Sequence, residues 1–356
     1  MEMTDLDHLG WSETLAQSFA DIAEPTHIAG RIIAHHRGHY ELAYAGGTIR
    51  AQCAGRMRHR DTDLGLPVVG DFVVARLEGG GATIDAVLPR RTKFARAVGD
   101  LTRHDVAKGE QIIAANIDYV FIVTGADADF STRRLERLLG AAYGSGAVPM
   151  IVLTKIDLGL APPMIDQLAI EAPGVAVHLV SNATGEGIAA LRALIRPGET
   201  ALLVGSSGVG KSSLVNRLLG TDRQATSITD ENGRGRHTTT SRDLFALDGG
   251  GLILDTPGIR AITQWQTEGL DDAFADITTI ATHCRFSDCR HEAEPGCAVQ
   301  AAIADGTLEA HRLTDYAKLD REMAHLARRG DKRAEAAQRR KWAKTTRQRR
   351  TSDVAP

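Results

Sequence analysis

Gly205-Ser206-Ser207-Gly208-Val209-Gly210-Lys211-Ser212 follows the apolar run Ala201–Val204. The spacing G-x-x-x-x-G-K-S, between a strand pattern and a helix pattern, is the context in which such a loop cradles phosphate. Its glycines allow a turn whose backbone N–H groups face inward. Those donors and the helix N-terminus hold phosphate oxygens. Lys211 reaches the β- and γ-phosphates, Ser212 completes the oxygen shell of a Mg²⁺, and Ser213 follows towards the α-phosphate. A second apolar run, Leu252–Leu254, leads into Asp255-Thr256-Pro257-Gly258. Asp255 can hold the Mg²⁺ through water, and the Gly258 N–H can turn to the γ-phosphate. Between the two lies the polar, glycine-broken segment Gly233-Arg234-Gly235-Arg236-His237-Thr238-Thr239-Thr240. Thr239 or a neighbour is placed to ligate Mg²⁺ and sense the γ-phosphate, and such a segment is a natural order–disorder switch.

A base-reading site precedes this loop. Val152-Leu153 runs into Thr154-Lys155-Ile156-Asp157. A carboxylate at Asp157 accepts both N1–H and N2–H₂ of guanine, a pair adenine lacks. A mismatched base leaves the charge unpaired, so discrimination is strong and an ATPase is opposed. The Lys155 stem can cover one face of the base. Ser181-Asn182-Ala183, after another strand pattern, offers a backbone N–H to guanine O6. In the usual GTPase the phosphate loop comes first and the base readers last. Here the order is reversed, which a circularly permuted chain allows because side chains meet in space.

Cys284, Cys289, His291 and Cys297 bring three thiolates and an imidazole together within residues 284–297. A closed Cys₃His set suits one structural Zn²⁺ held tetrahedrally. His283, adjacent to Cys284, is the alternative for the histidine position. A redox pair is opposed by the absence of C-x-x-C, and Cys53 reads as a small buried hydrophobe.

The elements that must position these groups fall into three modules. At ~150 residues per domain, 356 residues leave room for two or three. A 43% hydrophobic content excludes wholesale disorder. No apolar run approaches the ~18 residues of a membrane helix, and the acidic start is not a secretory signal, so a cytoplasmic protein with no membrane partner is expected. Residues 1–26 show no sustained pattern. Residues 27–96 read as five short strands, over 28–34, 40–44, 48–53, 71–77 and 82–88, broken by glycine turns: a small β-barrel such as an OB-fold, which composition alone does not distinguish from an SH3-like barrel. Arg50, Arg56, Arg58, His59 and Arg60, in and just after the third strand, suit RNA. Residues 97–264 alternate Val/Ile/Leu strands with helices, an α/β pattern with a parallel sheet covered on both faces, and an antiparallel edge strand over 243–247. Residues 265–327 read as mainly helical around the cysteine cluster. Residues 328–356 carry eleven Lys/Arg against three acids, a basic tail on a chain whose net charge is −3. Such a tail fits a polyanion, most often nucleic acid.

A barrel, a permuted GTPase and a Cys₃His module, in that order, resemble the bacterial ribosome small-subunit-dependent GTPase A family (RsgA/YjeQ). The resemblance covers roughly residues 27–327. It rests on Gly205–Ser213, Gly233–Thr240, Asp255–Gly258 with Ile259-Arg260, the four metal-site residues, and on Val69-Gly70-Asp71 and Pro89-Arg90-Arg91 in the barrel. It implies a GTPase that assists late maturation of the small ribosomal subunit, binds ribosomal RNA through barrel and zinc module, and is stimulated by the subunit. A monomer is expected. Ile259 after Gly258 cannot hold the attacking water, so His237 is the candidate catalytic residue, a placement the resemblance also suggests. One departure stands out. The guanine motif usually begins with Asn, which ties it to the phosphate loop; Thr154 in that place predicts a weaker tie and lower affinity. The rival reading is an RNA-binding assembly chaperone in which nucleotide is a structural ligand only.

Overall fold

The computed structural model describes residues 6–36, 38–59, 65–97, 110–206, 208–220, 242–255, 270–292 and 294–321. Ser207, the segment 233–240 with His237 and Thr239, Gly258 and the basic tail lie outside the described residues.

Leu15 and Phe19, four residues apart, share one face of a helix, and Trp11 precedes it on the same side, in edge contact with Phe19. Helix α1 (Glu13–Ala20) starts at Ser12, whose Oγ accepts the Leu15 N–H at 3.3 Å. The apolar face lies on Phe72, Val74 and Leu88 of the barrel. So residues 11–20 are ordered against the barrel, although only three of their apolar residues make that contact.

Five strands follow: β1 (His27–His36), β2 (His39–Tyr44), β3 (Gly47–Cys53), β4 (Phe72–Glu78) and β5 (Gly81–Val87). Their pairing runs β1–β2–β3–β5–β4 and returns from β4 to β1, so the barrel closes. Only the β3–β5 pair is parallel. Ile32, Leu42, Ala51, Val73, Ala75 and Ile84 fill its interior. Helix α2 (Gly55–His59) lies between β3 and β4. A buried bidentate pair, Arg90 to Asp71 at 2.7 and 2.6 Å, fixes the end of the barrel. A hairpin-like pair then forms from β6 (Lys93–Ala97) and β7 (Glu110–Ala115), antiparallel.

The nucleotide module consists of β8 (Tyr119–Gly125), α3 (Thr132–Gly144), β9 (Val148–Thr154), α4 (Ala161–Glu171), β10 (Ala176–Leu179), α5 (Ile188–Ala193), β11 (Thr200–Val204), α6 (Lys211–Leu219), β12 (Arg242–Ala246) and β13 (Leu252–Asp255). The strand order is β10-β9-β8-β11-β13-β12, parallel except for β12. Alternate residues of β8 feed two cores: Val120 and Ile122 meet Leu135, Leu138 and Leu168 of α3 and α4 on one face, Phe121 and Val123 meet Leu191, Leu214 and Leu218 of α5 and α6 on the other. Period-two burial on both faces is what near-continuous apolar strands require.

Barrel and nucleotide sheet are continuous. β12 pairs with β1 (Ala34 with Asp243, His35 with Arg242), giving one sheet of 11 strands. Beyond it, α7 (Leu270–Ala273), α8 (Ala275–Ala281), α9 (Ala298–Ala304) and a helix described over 310–321 enclose Phe274, Ile277, Val299 and Leu319.

Candidate functional site

In a parallel sheet the loops that leave the C-terminal ends of the strands share one rim, where open α/β sheets bind ligands. Here β9 leads to Thr154–Asp157, β10 to Ser181–Ala183, β11 to the phosphate loop and β13 ends on Asp255. The two base-reading motifs therefore meet the phosphate loop despite their reversed chain order.

The phosphate loop leaves β11 through Gly205 at φ 150°, where an added Cβ would lie 2.2 Å from the Val123 carbonyl oxygen. Only glycine passes the neighbouring strand this closely. Gly208 and Gly210 take positive φ, and α6 begins at Lys211 with its N–H groups facing the loop. Lys211 Nζ donates to the carbonyls of Gly205 (2.9 Å) and Ser206 (2.5 Å). Burial lowers the Lys211 pKa, and Asp255 and Asp129 oppose that shift by favouring the ammonium. A phosphate placed in the loop adds to the same attraction. Ser212 is exposed on the first turn of α6, and Asp255 is buried at the end of β13 beside β11. A hydroxyl and a carboxylate at one rim are the oxygen donors Mg²⁺ prefers.

Thr154 is buried, and its Oγ1 donates to the Val209 carbonyl at 2.7 Å, with a longer contact to Thr124 O at 3.2 Å. The threonine hydroxyl is short, but β9 brings it within reach of the loop carbonyl, so a tie to the phosphate loop is made through one hydrogen bond. Lys155 sits at φ 63° and pairs with Asp127 at 2.5 Å. Ser181 Oγ donates to Asp157 Oδ1 at 2.6 Å, which joins the two base-reading loops. Asp157 Oδ1 is thereby oriented, and the carboxylate keeps further acceptor capacity for a base edge.

Three participants are not announced by any motif. Asp127, Asp129 and Arg134 follow β8 at the same rim. Asp129 Oδ2 accepts from Ser206 Oγ (2.5 Å) and from Arg134 (2.8 Å), and Arg134 also donates to Ser206 Oγ at 2.9 Å. The Ser206 hydroxyl, then Arg134, hold the Asp129 carboxyl below its ordinary pKa, and Lys155 does the same for Asp127. The one available signal is the D-x-D directly after an apolar strand.

The cysteine cluster is a separate centre. Cys284, Cys289, His291 and Cys297 place their ligand atoms within 4.8 Å of one another. Cys284 Sγ and Cys297 Sγ are 3.9 Å apart, and His291 Nδ1 is 3.6 and 3.5 Å from them. A tetrahedron with Zn–S of ~2.3 Å and Zn–N of ~2.0 Å has edges of about 3.5 to 3.8 Å, so the Cys284, Cys297 and His291 separations fit such a metal, with Cys289 near enough to complete the set. His283 is not part of this set, and its Nδ1 lies 3.1 Å from Thr282 Oγ1.

The family model described as RsgA GTPase matches residues 87–265, and one described as 50S ribosome-binding GTPase matches residues 200–335. A protein of Opitutus terrae named small ribosomal subunit biogenesis GTPase RsgA is 44% identical, over 95% of each chain. The chain belongs to the RsgA GTPase family. A Streptomyces coelicolor relative of the same name is 41% identical over 95% of this chain and 92% of its own. Among solved structures, YjeQ from Thermotoga maritima matches with a TM-score of 0.63 and 25% identity, covering 84% of this chain and 99% of that one. YloQ, described as a circularly permuted GTPase, matches with a TM-score of 0.60 and 26% identity, covering 85% and 97%. The permuted order read from Thr154–Asp157 and Gly205–Ser212 thus agrees with a similar solved structure described as a circularly permuted GTPase. The barrel, the P-loop GTPase fold and the helical region with its Cys/His cluster agree with the class expected from the sequence.

Proposed function

We propose that this RsgA-family GTPase hydrolyses GTP to GDP and phosphate while acting in late maturation of the small ribosomal subunit. The observation that carries the reading is the joined rim: Thr154 bonded to Val209 and Ser181 bonded to Asp157, with Lys211 in the loop between. Guanine selectivity and phosphate binding are there built into one site.

In this reading Gly205–Ser213 wrap the phosphates, with Lys211 on the β- and γ-oxygens. Thr154–Asp157 and Ser181–Ala183 read the base. Ser212 and Thr239 would hold Mg²⁺, with Asp255 holding it through water, and the bound ion would neutralise charge on the phosphate oxygens. Gly258 N–H faces the γ-phosphate. His237 holds the attacking water in line and takes its proton as the bond to the leaving β-oxygen breaks. Cys284, Cys289, His291 and Cys297 hold one structural Zn²⁺, which keeps a loop of little apolar content folded. The barrel, the zinc module and the basic tail supply the contacts to ribosomal RNA. The protein acts as a monomer in the cytoplasm, and no helix among the described residues is long and apolar enough to cross a membrane.

GTP turnover measured with and without purified small subunits tests the reading. Slow basal hydrolysis, strongly stimulated by small subunits and abolished by Lys211→Ala, is the expected result. Stimulated turnover should also collapse in His237→Ala while GTP affinity stays near wild type. Turnover that the subunit leaves unchanged would instead favour nucleotide as a structural ligand only.

A further inference from the structure

Both base-reading loops are anchored to successive carbonyls of the phosphate loop. Thr154 takes Val209 O, and the Asn182 side chain takes the next one: Asn182 Nδ2 donates to Gly210 O at 3.0 Å. Gly210 is at φ 93°, and an added Cβ would come within 2.7 Å of Asn182 Nδ2, so the loop and the amide are in close contact. Arg217 of α6 grips the same segment from the other side. Its Nε donates to Asn182 O at 2.9 Å and its guanidinium to Ala183 O at 3.2 Å. The segment that offers its backbone N–H to guanine O6 is therefore stapled to the helix that follows the phosphate loop.

We propose that Asn182 is a specificity-determining positioning residue: its side-chain amide locks the base-reading loop to the phosphate loop, so that base contacts and phosphate contacts are made together. The inference rests on the guanine-nucleotide reading above. Its physical basis is pre-organisation. A loop held in its bound geometry does not lose conformational freedom when the ligand arrives. The other amide atom supports the assignment. Asn182 Oδ1 is buried and has no hydrogen-bond partner among the described residues. An orphaned buried acceptor is unfavourable, so the contribution of this amide lies in the bond its N–H₂ group makes to Gly210 O. Arg217 holds only backbone carbonyls, so it fixes the height of the loop above α6. Asn182 fixes its register against Gly210, which sets where the donor meets O6.

The test uses the full chain with Mg²⁺ and a fluorescent GDP analogue, displaced by GDP or by IDP, which lacks the 2-amino group read by Asp157. Two variants remove the donor: Asn182→Ala, and the isosteric Asn182→Asp. Both should bind GDP about tenfold more weakly, the loss of ~1.4 kcal/mol that one well-made buried hydrogen bond represents. The preference for GDP over IDP should shrink as well, because a misplaced loop lets the base move off Asp157. A merely structural role lowers both ligands equally. The inference is overturned if GDP affinity stays within about twofold of wild type, or if GDP and IDP weaken in equal measure. Failure of wild-type protein to bind the GDP analogue would overturn the guanine-nucleotide reading itself, and this inference with it.

Discussion

Arg312 and Glu136 meet at 3.2 Å with both side chains buried, and they join the C-terminal helical region to the nucleotide module. Glu136 lies on α3, whose first turn carries Arg134, the residue bonded to Ser206 of the phosphate loop. Arg312 also donates to Asp276 at 2.9 Å and to the Glu171 carbonyl at 3.1 Å, and rests over the Phe274 ring at 4.4 Å. Burial pushes the Glu136 carboxyl up to about 8; Asp315 and Glu171 add to this and Arg312 opposes it. The folded protein then retains a proton that the unfolded chain releases. Stability falls as pH rises from the ordinary carboxylate range towards about 8. Glu136→Gln abolishes that dependence. Between pH 6 and 8.5 wild type should lose on the order of 2 kcal/mol more than the variant, read from urea unfolding. Parallel curves for the two proteins would show that Glu136 is ionised throughout.

Arg31 does for the barrel what Arg312 does for the C-terminal region. It is buried and donates to Leu9 O (2.5 Å), Gly70 O (3.1 Å), Asn116 O (2.9 Å) and Thr200 Oγ1 (3.0 Å). Its guanidinium lies 5.0 Å from the Phe72 ring centroid. These partners come from the opening segment, the barrel, the connection between β7 and β8, and β11. Arg31→Met leaves several acceptors short of a donor and should cost about 3 kcal/mol in urea unfolding. Arg31→Lys should recover little, because a single ammonium cannot span the fork of acceptors. A methionine variant as stable as wild type would mean the network is not a stabilising joint.

How legible this was in the chain follows from the range of each interaction. Phosphate-loop glycines, strand runs and cysteine spacing act over a few residues, so β8 to β13 and the metal-site set are readable. The barrel strands also appear with ends shifted by a residue or two, since glycine turns punctuate them. The β6–β7 pair is not readable, because Lys93–Ala97 and Glu110–Ala115 are short and find each other across a long interval. Nor are the links made by Arg31, Arg312 or Arg134 readable, since a buried arginine looks like any other until its acceptors are brought together. Thr154 illustrates the same limit. Its type predicts a poorer tether than asparagine, and only the placement of β9 against Val209 shows that the tether is made.

In the proposed reading Asp157 recognises the base through its charge, so its isosteric amide should change the recognition without disturbing the loop. Ser181 Oγ donates to Asp157 Oδ1, and the oxygen of a side-chain amide at this position can accept that bond equally. The remaining amide donor would face N2 of guanine, where it finds another donor, but the carbonyl of xanthine, where it finds an acceptor. Asp157→Asn should therefore weaken GTP by roughly 100-fold or more, the scale for a mismatched buried polar group, while binding of XTP rises. Competition of XTP and GTP against a fluorescent guanine nucleotide measures it. A variant that prefers GTP as strongly as wild type would remove Asp157 from the base-reading role.

The two histidines beside the cysteines allow a direct test of the metal site. His291 takes a left-handed backbone conformation at φ 60°, which non-glycine residues adopt at a cost, and its Nδ1 faces Cys284 and Cys297. Its carbonyl is held by Gln300 Nε2 at 2.5 Å, so the turn is fixed from both sides. His283 instead meets Thr282. Metal analysis of purified protein should give about one zinc per chain, as a closed four-ligand site binds. His291→Ala and Cys289→Ser should lose most of it, and His283→Ala should retain it. Loss of the metal should expose residues 284–297 to proteolysis, because folding of such a small loop is coupled to metal binding. Nucleotide affinity should change little, since the side-chain hydrogen bonds of the ligand residues stay within residues 284–300, away from the phosphate loop and the base-reading loops. Zinc retained by His291→Ala but lost from His283→Ala would reassign the fourth ligand, and no zinc in wild type would remove the metal site altogether.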